Sequence, residues 1–160
     1  MIRKIWKYLK EVNIDILIYS MKEGDLIAPP DISFEIKTEA LSYGKRRYFI
    51  NDKGILVHQS FLFNCLNVLK LIGEKGPAIG DCLTVSQYKG RSIYPFVISY
   101  IATELLVGQK YPEVFIIVNS DNISSIRGIE KAGFKLHTAI KAKRFLLFYY
   151  NVHKKQAVDR

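Results

Sequence analysis

The run Val85-Ser86-Gln87-Tyr88-Lys89-Gly90-Arg91-Ser92-Ile93-Tyr94 joins the end of an apolar segment to the start of an amphipathic one through a basic turn of small residues. That composition suits an anion. The first backbone N–H groups of a helix have no intrahelical acceptors and sit at the positive end of the helix dipole, so they form a ready phosphate site. Lys89 and Arg91 add charge, and Gly90 lets an anion approach the main chain closely. A plain strand-to-helix connection can carry a glycine too, so the run by itself leaves a structural reading open. The other group suited to chemistry is His58, whose neutral form is well populated near pH 7 and can accept a proton. A histidine in a mixed strand is equally an ordinary structural residue.

The elements that would position these groups are legible as periodicities. Ala78 to Val85 is a short, mostly apolar strand, and Ile93, Val97, Ile101 and Leu105 recur every four residues along one helical stripe. Val114-Phe115-Ile116-Ile117-Val118 is a second apolar strand, followed by Asn122 to Phe134. Along the whole chain the pattern predicts a helix near 2–12 and strands near 14–20, 33–37, 46–50 and 55–63. The last two are hinged at Asn51-Asp52-Lys53-Gly54. A strand at 79–86, a helix at 91–107, a strand at 113–119 and a helix at 122–132 follow, with Gly133 placed as a C-cap. Strands at 134–140 and 144–150 complete a mixed α/β layout. Within the last, Phe145, Phe148, Tyr149 and Tyr150 are expected in the core.

Composition sets the outer limits. A chain of 160 residues that is 49% hydrophobic and 24% charged reads as one globular domain, neither disordered nor fibrous. Cys65 and Cys82 are too few for a disulfide framework and have no metal-ligand spacing with His58, His137 or His153, so a reducing cytoplasm is the expected compartment and no metal is expected. Residues 1–22 divide into a basic amphipathic helix and a first strand, and 23–160 form the main domain. In the helix, Ile2, Ile5, Trp6, Leu9 and Val12 share a face opposite Arg3, Lys4, Lys7 and Lys10, too interrupted for a secretion signal or a membrane span. Such a helix docks on its own domain or on a partner subunit of a homodimer, or rests peripherally on the inner membrane face. A net charge of +9 raises nucleic acid as a partner, but the basic residues are scattered, and a multiply phosphorylated ligand accounts for the charge more simply.

Two of these segments together resemble the GCN5-related N-acetyltransferase (GNAT) family. Gln87-Tyr88-Lys89-Gly90-Arg91-Ser92 is similar to that family's pyrophosphate loop, with Ser92 in place of the final small residue. Asn122 and Ser125, closed by Gly133 and Phe134, match the later motif. The resemblance covers roughly residues 55–150. It implies an α+β fold with a twisted, mostly antiparallel sheet flanked by helices, in which two parallel strands, 79–86 and 113–119, splay apart. It also implies acetyl-CoA as co-substrate and a small primary amine as acceptor. The pantetheine arm would meet the main chain of Leu83 and Val85, the pyrophosphate the amides from Gln87 through Tyr88, Lys89, Gly90, Arg91 and Ser92 to Ile93. Asn122 and Ser125 would complete the site, although Asn122 also suits plain helix capping.

Amine acetylation needs a base, a donor where oxyanion charge develops, and a proton for the leaving thiolate. The resemblance places Asp81 where many members carry a glutamate, so Asp81 and His58 are the candidate bases, with water as a third route. The family's usual tyrosine acid is replaced by Ile129 here. Tyr94 is its nearest substitute by position, ahead of Cys82 and Tyr88. Segments such as Val57-His58-Gln59-Ser60 resemble the GNAT branch associated with surface-polysaccharide synthesis, which implies an amino-sugar acceptor. The alternatives are a catalytically silent acyl-CoA-binding module, a nucleic-acid binder and a membrane-surface protein.

Overall fold

Runs of β-branched and aromatic residues broken by Gly, Asn and Asp favour strands over helices through most of this chain. A computed structural model describes residues 10–157. Its strands are β1 (Val12–Met21), β2 (Lys37–Ala40), β3 (Arg46–Asp52), β4 (Ile55–Phe63), β5 (Ala78–Thr84), β6 (Val114–Asn119), β7 (Lys135–Phe145) and β8 (Phe148–Gln156). The helices are α1 (Asn67–Lys70), α2 (Ile93–Thr103), prolonged by a π-helical turn over Glu104–Gly108, and α3 (Ile123–Lys131). All eight strands form one sheet in the order β2-β3-β4-β5-β6-β1-β7-β8, in which β5 and β6 alone run parallel. The fold is α+β, with a mostly antiparallel sheet flanked by helices.

The first strand lies deep in the sheet, antiparallel to β6 on one side and β7 on the other. Its consecutive residues Ile18, Tyr19, Ser20 and Met21 are all buried, as in a strand covered on both faces. On one face Tyr19, Met21, Ile79, Ile116 and Val118 pack under α2 through Val97 and Ile101, under its π-helical extension through Leu105, and under α3 through Ile129. On the other, Ile16, Ile18, Phe115 and Ile140 pack against Val68 and Leu69 of α1. The Tyr19 hydroxyl donates to Glu130 Oε1 at 2.9 Å, tying β1 to α3.

The β3–β4 hairpin turns at Lys53 (φ 48) and Gly54 (φ 82), as expected of a two-residue turn with both central residues left-handed. Gly133 (φ 96) ends α3 in the same left-handed region. Elsewhere the structure corrects the sequence reading. The strand expected at 33–37 forms instead at Lys37–Ala40, where it pairs with Arg46–Phe49, and 31–36 is irregular. The strand expected at 144–150 is interrupted by a turn at Leu146-Leu147, because β7 runs on to Phe145 and β8 starts at Phe148. The aromatic run expected in the core is consequently at a hairpin tip, with Phe145 and Phe148 exposed. α1 carried no periodicity that revealed it. Of the helix expected at 2–12, residues 1–9 lie outside the described residues, and Val12 belongs to β1. Among the described residues no helix is long and apolar enough to cross a membrane.

Candidate active site

β5 and β6 share only two pairs, Ala78 with Phe115 and Ile79 with Ile116. From Gly80 onward the strands part. The cause is written into β5, where the register against β4 slips between Gln59 and Phe61 and Asp81 takes up the slack at φ 50. This is a β-bulge. An aspartate tolerates that left-handed conformation better than most residues, and the bulge bends the strand away from its parallel neighbour.

Main-chain groups then face the gap with no strand opposite. The Val85 N–H is engaged elsewhere, donating to Val57 O at 3.0 Å, so this residue turns its backbone toward β4. By the two-residue alternation of an antiparallel ladder, Leu83, paired with Gln59, does the same, and the main chain of Cys82 and Thr84 faces the gap. The backbone that faces the gap is therefore that of Thr84 and Cys82 rather than that of Leu83 and Val85. The Leu83 side chain still lines the opening.

A cleft of about 660 Å³ lies beside β5 past the point where β6 leaves it, between β5 and the start of the helix that follows β6, and opens toward the loop after β5. Its walls are Cys82, Leu83 and Thr84 from β5, Tyr88, Lys89, Gly90, Ser92 and Ile93 from the loop and helix start, and Tyr94 from α2. Asn122, Ser125, Arg127 and Lys131 close it from α3. Three cations and no carboxylate line it among the described residues. Ser92 (φ 59) starts α2 without a side-chain cap, so the first N–H groups of that helix keep their donors directed at the cleft mouth. Pro95, third in the helix, has no N–H to satisfy. Gly90 (φ 78) adopts a conformation that favours glycine, and nothing lies within 4 Å of where its Cβ would be, so the loop leaves an open approach to its backbone. The Lys131 ammonium donates to Ser92 Oγ at 2.7 Å, bridging α3 to the loop.

Behind the cleft wall runs a buried hydrogen-bonded chain. His58 Nδ1 lies 2.7 Å from Thr84 Oγ1 and Nε2 lies 2.8 Å from Ser60 Oγ. The Ser60 hydroxyl donates to Cys82 Sγ at 3.1 Å, and the Tyr94 hydroxyl is hydrogen-bonded to the same sulfur. His58 is 0% exposed, and burial lowers its pKa to about 4, so it is neutral at pH 7. Burial raises the Tyr94 pKa strongly, with the Cys82 sulfur adding to the shift, and lifts the Cys82 thiol to about 12. Each member of the chain is thus uncharged near neutral pH.

Asp81, Gln87 and Arg91 fall outside the cleft wall. Asp81 is exposed and ion-paired with Lys45 at 3.5 Å. Gln87 and Arg91 are exposed, the Arg91 guanidinium lying 5.0 Å from the centre of the Tyr88 ring. Tyr88 itself is pinned by donating to Asp52 Oδ2 at 3.0 Å and by edge contact with Phe34. Asn122 caps α3, its Oδ1 accepting the Ser125 N–H at 3.2 Å, while both residues also line the cleft. Arg127 and Lys131 were missed from sequence. Their i, i+4 spacing on the helix opened by Asn122 is the signal that puts both on one face. Among the described residues no group of His, Cys, Asp and Glu is arranged to hold a metal ion.

No profile of a known protein family matches the chain. No curated protein matches it either. Solved structures do. An acetyltransferase of the GNAT family from Colwellia psychrerythraea superposes with a TM-score of 0.57 at 12% identity, covering 79% of this chain and 54% of its own. A protein described as a GNAT-family acetyltransferase from Novosphingobium aromaticivorans gives 0.58 at 15%, over 81% and 63%. The fold is that of the GNAT acetyltransferases. A GCN5-related N-acetyltransferase from Kribbella flavida gives 0.53 at 8%, over 84% and 59%. This GNAT-fold chain thus spans between 54% and 63% of the length of those three proteins. In GNAT terms, its parting β5 and β6 are the splayed parallel pair that the sequence resemblance implied.

Proposed function

We propose that this protein transfers an acetyl group from acetyl-CoA to a primary amine. The observation that carries the reading is the cleft beside β5 where β6 has parted from it, which joins unpaired strand backbone at one end to a cationic, carboxylate-free mouth at the other. A pantetheine arm has amides that can pair with main-chain groups of Thr84 and Cys82, satisfying donors and acceptors that would otherwise be buried without partners. The loop amides around Gly90 and the first turn of α2, with Lys89, Arg127 and Lys131, suit a pyrophosphate. When bound, the coenzyme supplies the thioester acyl group.

The residues then have distinct tasks. A strand amide of β5 stabilises the oxyanion as charge develops on the thioester carbonyl. Tyr94, which lines the cleft and whose raised pKa keeps its proton on the hydroxyl, donates a hydrogen bond to the departing thiolate rather than the proton itself. His58 holds the Thr84 and Ser60 hydroxyls from behind and is a positioning residue, since its lowered pKa makes it a reluctant base. With Asp81 turned to Lys45, the amine's proton leaves through water. An amino sugar is the acceptor that the sequence resemblance suggests.

A second reading, a silent acyl-CoA-binding module, is favoured by Ile129, which is buried in the core where many GNAT members carry a tyrosine. One assay separates the two. Acetyl-CoA is incubated with the protein and a panel of amines, amino sugars first, and released thiol is measured. Release that needs both protein and one amine supports transfer, whereas no release with any amine, despite bound coenzyme, leaves the silent module.

A further inference from the structure

The turn that joins β7 to β8 has a composition at odds with its position. Two-residue hairpin turns favour Gly, Asn and Asp, yet the turn here is Leu146-Leu147, with Leu146 held at φ 55, where a Cβ is disfavoured. Its flanking pair is Phe145 and Phe148. Leu147 and Phe148 are 77% and 74% exposed, and Phe145 and Leu146 39% and 46%. Four consecutive large apolar residues thus project at the end of a sheet without covering any of the core.

Their surroundings are cationic. Lys143 and Arg144 directly precede the tip on β7 and Lys141 stands further back, whereas Lys154 and Lys155 lie at the far end of β8, opposite Ile140 and Ala139. Two of these cations meet acids of the first strand and its lead-in, Lys143 with Glu11 at 2.6 Å and Lys141 with Asp15 at 3.2 Å. Of the tyrosines that follow the tip, Tyr149 packs against the core cluster of Ile16, Ile18 and Ile140, and Tyr150 donates its hydroxyl to Glu11. The chain that leads into β1 arrives at this same end, since Val12 pairs with Arg144. It brings the exposed Lys10 there.

We infer that the β7–β8 hairpin tip is a membrane-docking element, inserting Leu147 and Phe148 into an anionic bilayer surface while the basic residues beside it meet the headgroups. Apolar insertion and headgroup attraction reinforce each other, because each alone gives weak, reversible binding. The inference is independent of the proposed acetyl transfer, and its readout is binding rather than turnover.

The test is sedimentation of the full chain with vesicles of phosphatidylcholine, with and without about a third phosphatidylserine, the anionic vesicles being bound about tenfold more tightly or better. The double variant Leu147→Asp/Phe148→Asp, placed at exposed positions, should keep the wild-type circular dichroism and thermal midpoint and lose at least about tenfold in vesicle affinity. In a Trp6→Phe background, Leu147→Trp should shift its emission to shorter wavelength on anionic vesicles alone. Equal binding to both vesicle types, or undiminished binding by the double aspartate variant, overturns the inference. So does a chain that ignores vesicles and instead dimerises through the tip, with the aspartates making it monomeric.

Discussion

The imidazole Nδ1 of His58 lies 2.7 Å from the hydroxyl of Thr84, so a fully buried side chain of β4 is bonded directly to a residue in the cleft wall. Through Nε2 the same ring reaches Ser60, and through it the Cys82 sulfur that Tyr94 contacts. The wall of the cleft is therefore held from behind by one neutral histidine.

That neutrality has a signature in acid. Burial lowers the His58 pKa from 6.5 to about 4, so between those values the unfolded chain binds a proton that the native chain refuses. Stability contributed by this site should be complete above pH 6.5 and lost as pH falls toward 4, by about 3 kcal/mol in all. His58→Gln should remove that share of the pH dependence. Urea unfolding of both proteins at pH 7 and pH 4.5 checks it, and parallel stability curves would contradict the assignment.

Gly90→Glu should weaken acetyl-CoA binding about tenfold or more, since it places a carboxylate where the loop would meet a pyrophosphate and forces a side chain onto φ 78. Calorimetric titration reads this directly. Retained affinity would move the phosphate site off this loop.

Gly128 is a packing requirement of α3 against α2. A Cβ there would lie 2.6 Å from Tyr94 Cδ1 and 3.0 Å from Cε1, and the ring is half-enclosed and cannot simply swing aside. Gly128→Ala should therefore lower stability by about 1–2 kcal/mol despite the better helix propensity of alanine, seen as a lower urea midpoint with an unchanged slope. It should also disturb the cleft through Tyr94, raising the KM for acetyl-CoA.

Tyr94→Phe removes the hydrogen-bond donor to the leaving thiolate and one hydrogen bond to Cys82. We expect kcat to fall about tenfold or more with little change in coenzyme affinity, and stability to fall by about 1 kcal/mol. Unchanged kcat would show that the thiolate leaves without help from this hydroxyl.

Much of this was legible where the signal was local. The Lys53-Gly54 turn, the helix that starts at Asn122 and stops at Gly133, and the basic turn ahead of Ile93 all carry their geometry in a few neighbouring residues. What escaped was set by distant contacts. β1 is central because it pairs with strands about a hundred residues away, which its own alternation cannot report. The alternation of His58 and Ser60 gave a shared face, but not that α2 would seal it from solvent. The bulge at Asp81 shifted the main-chain phase by one residue and so moved the cleft-facing backbone from Leu83 and Val85 to Cys82 and Thr84. The Leu146-Leu147 turn concealed itself by lacking every usual turn residue.

The proposed function stands or falls with a coenzyme site where β5 and β6 part. Its most direct test is calorimetric titration with acetyl-CoA, repeated with an acetyl-pantetheine thioester that lacks the nucleotide and pyrophosphate. We expect saturable binding of acetyl-CoA and binding weaker by at least about a hundredfold for the truncated thioester, because the cationic mouth of the cleft would lose its anion. Absence of acetyl-CoA binding by the folded protein, or equal binding of the two compounds, would contradict it.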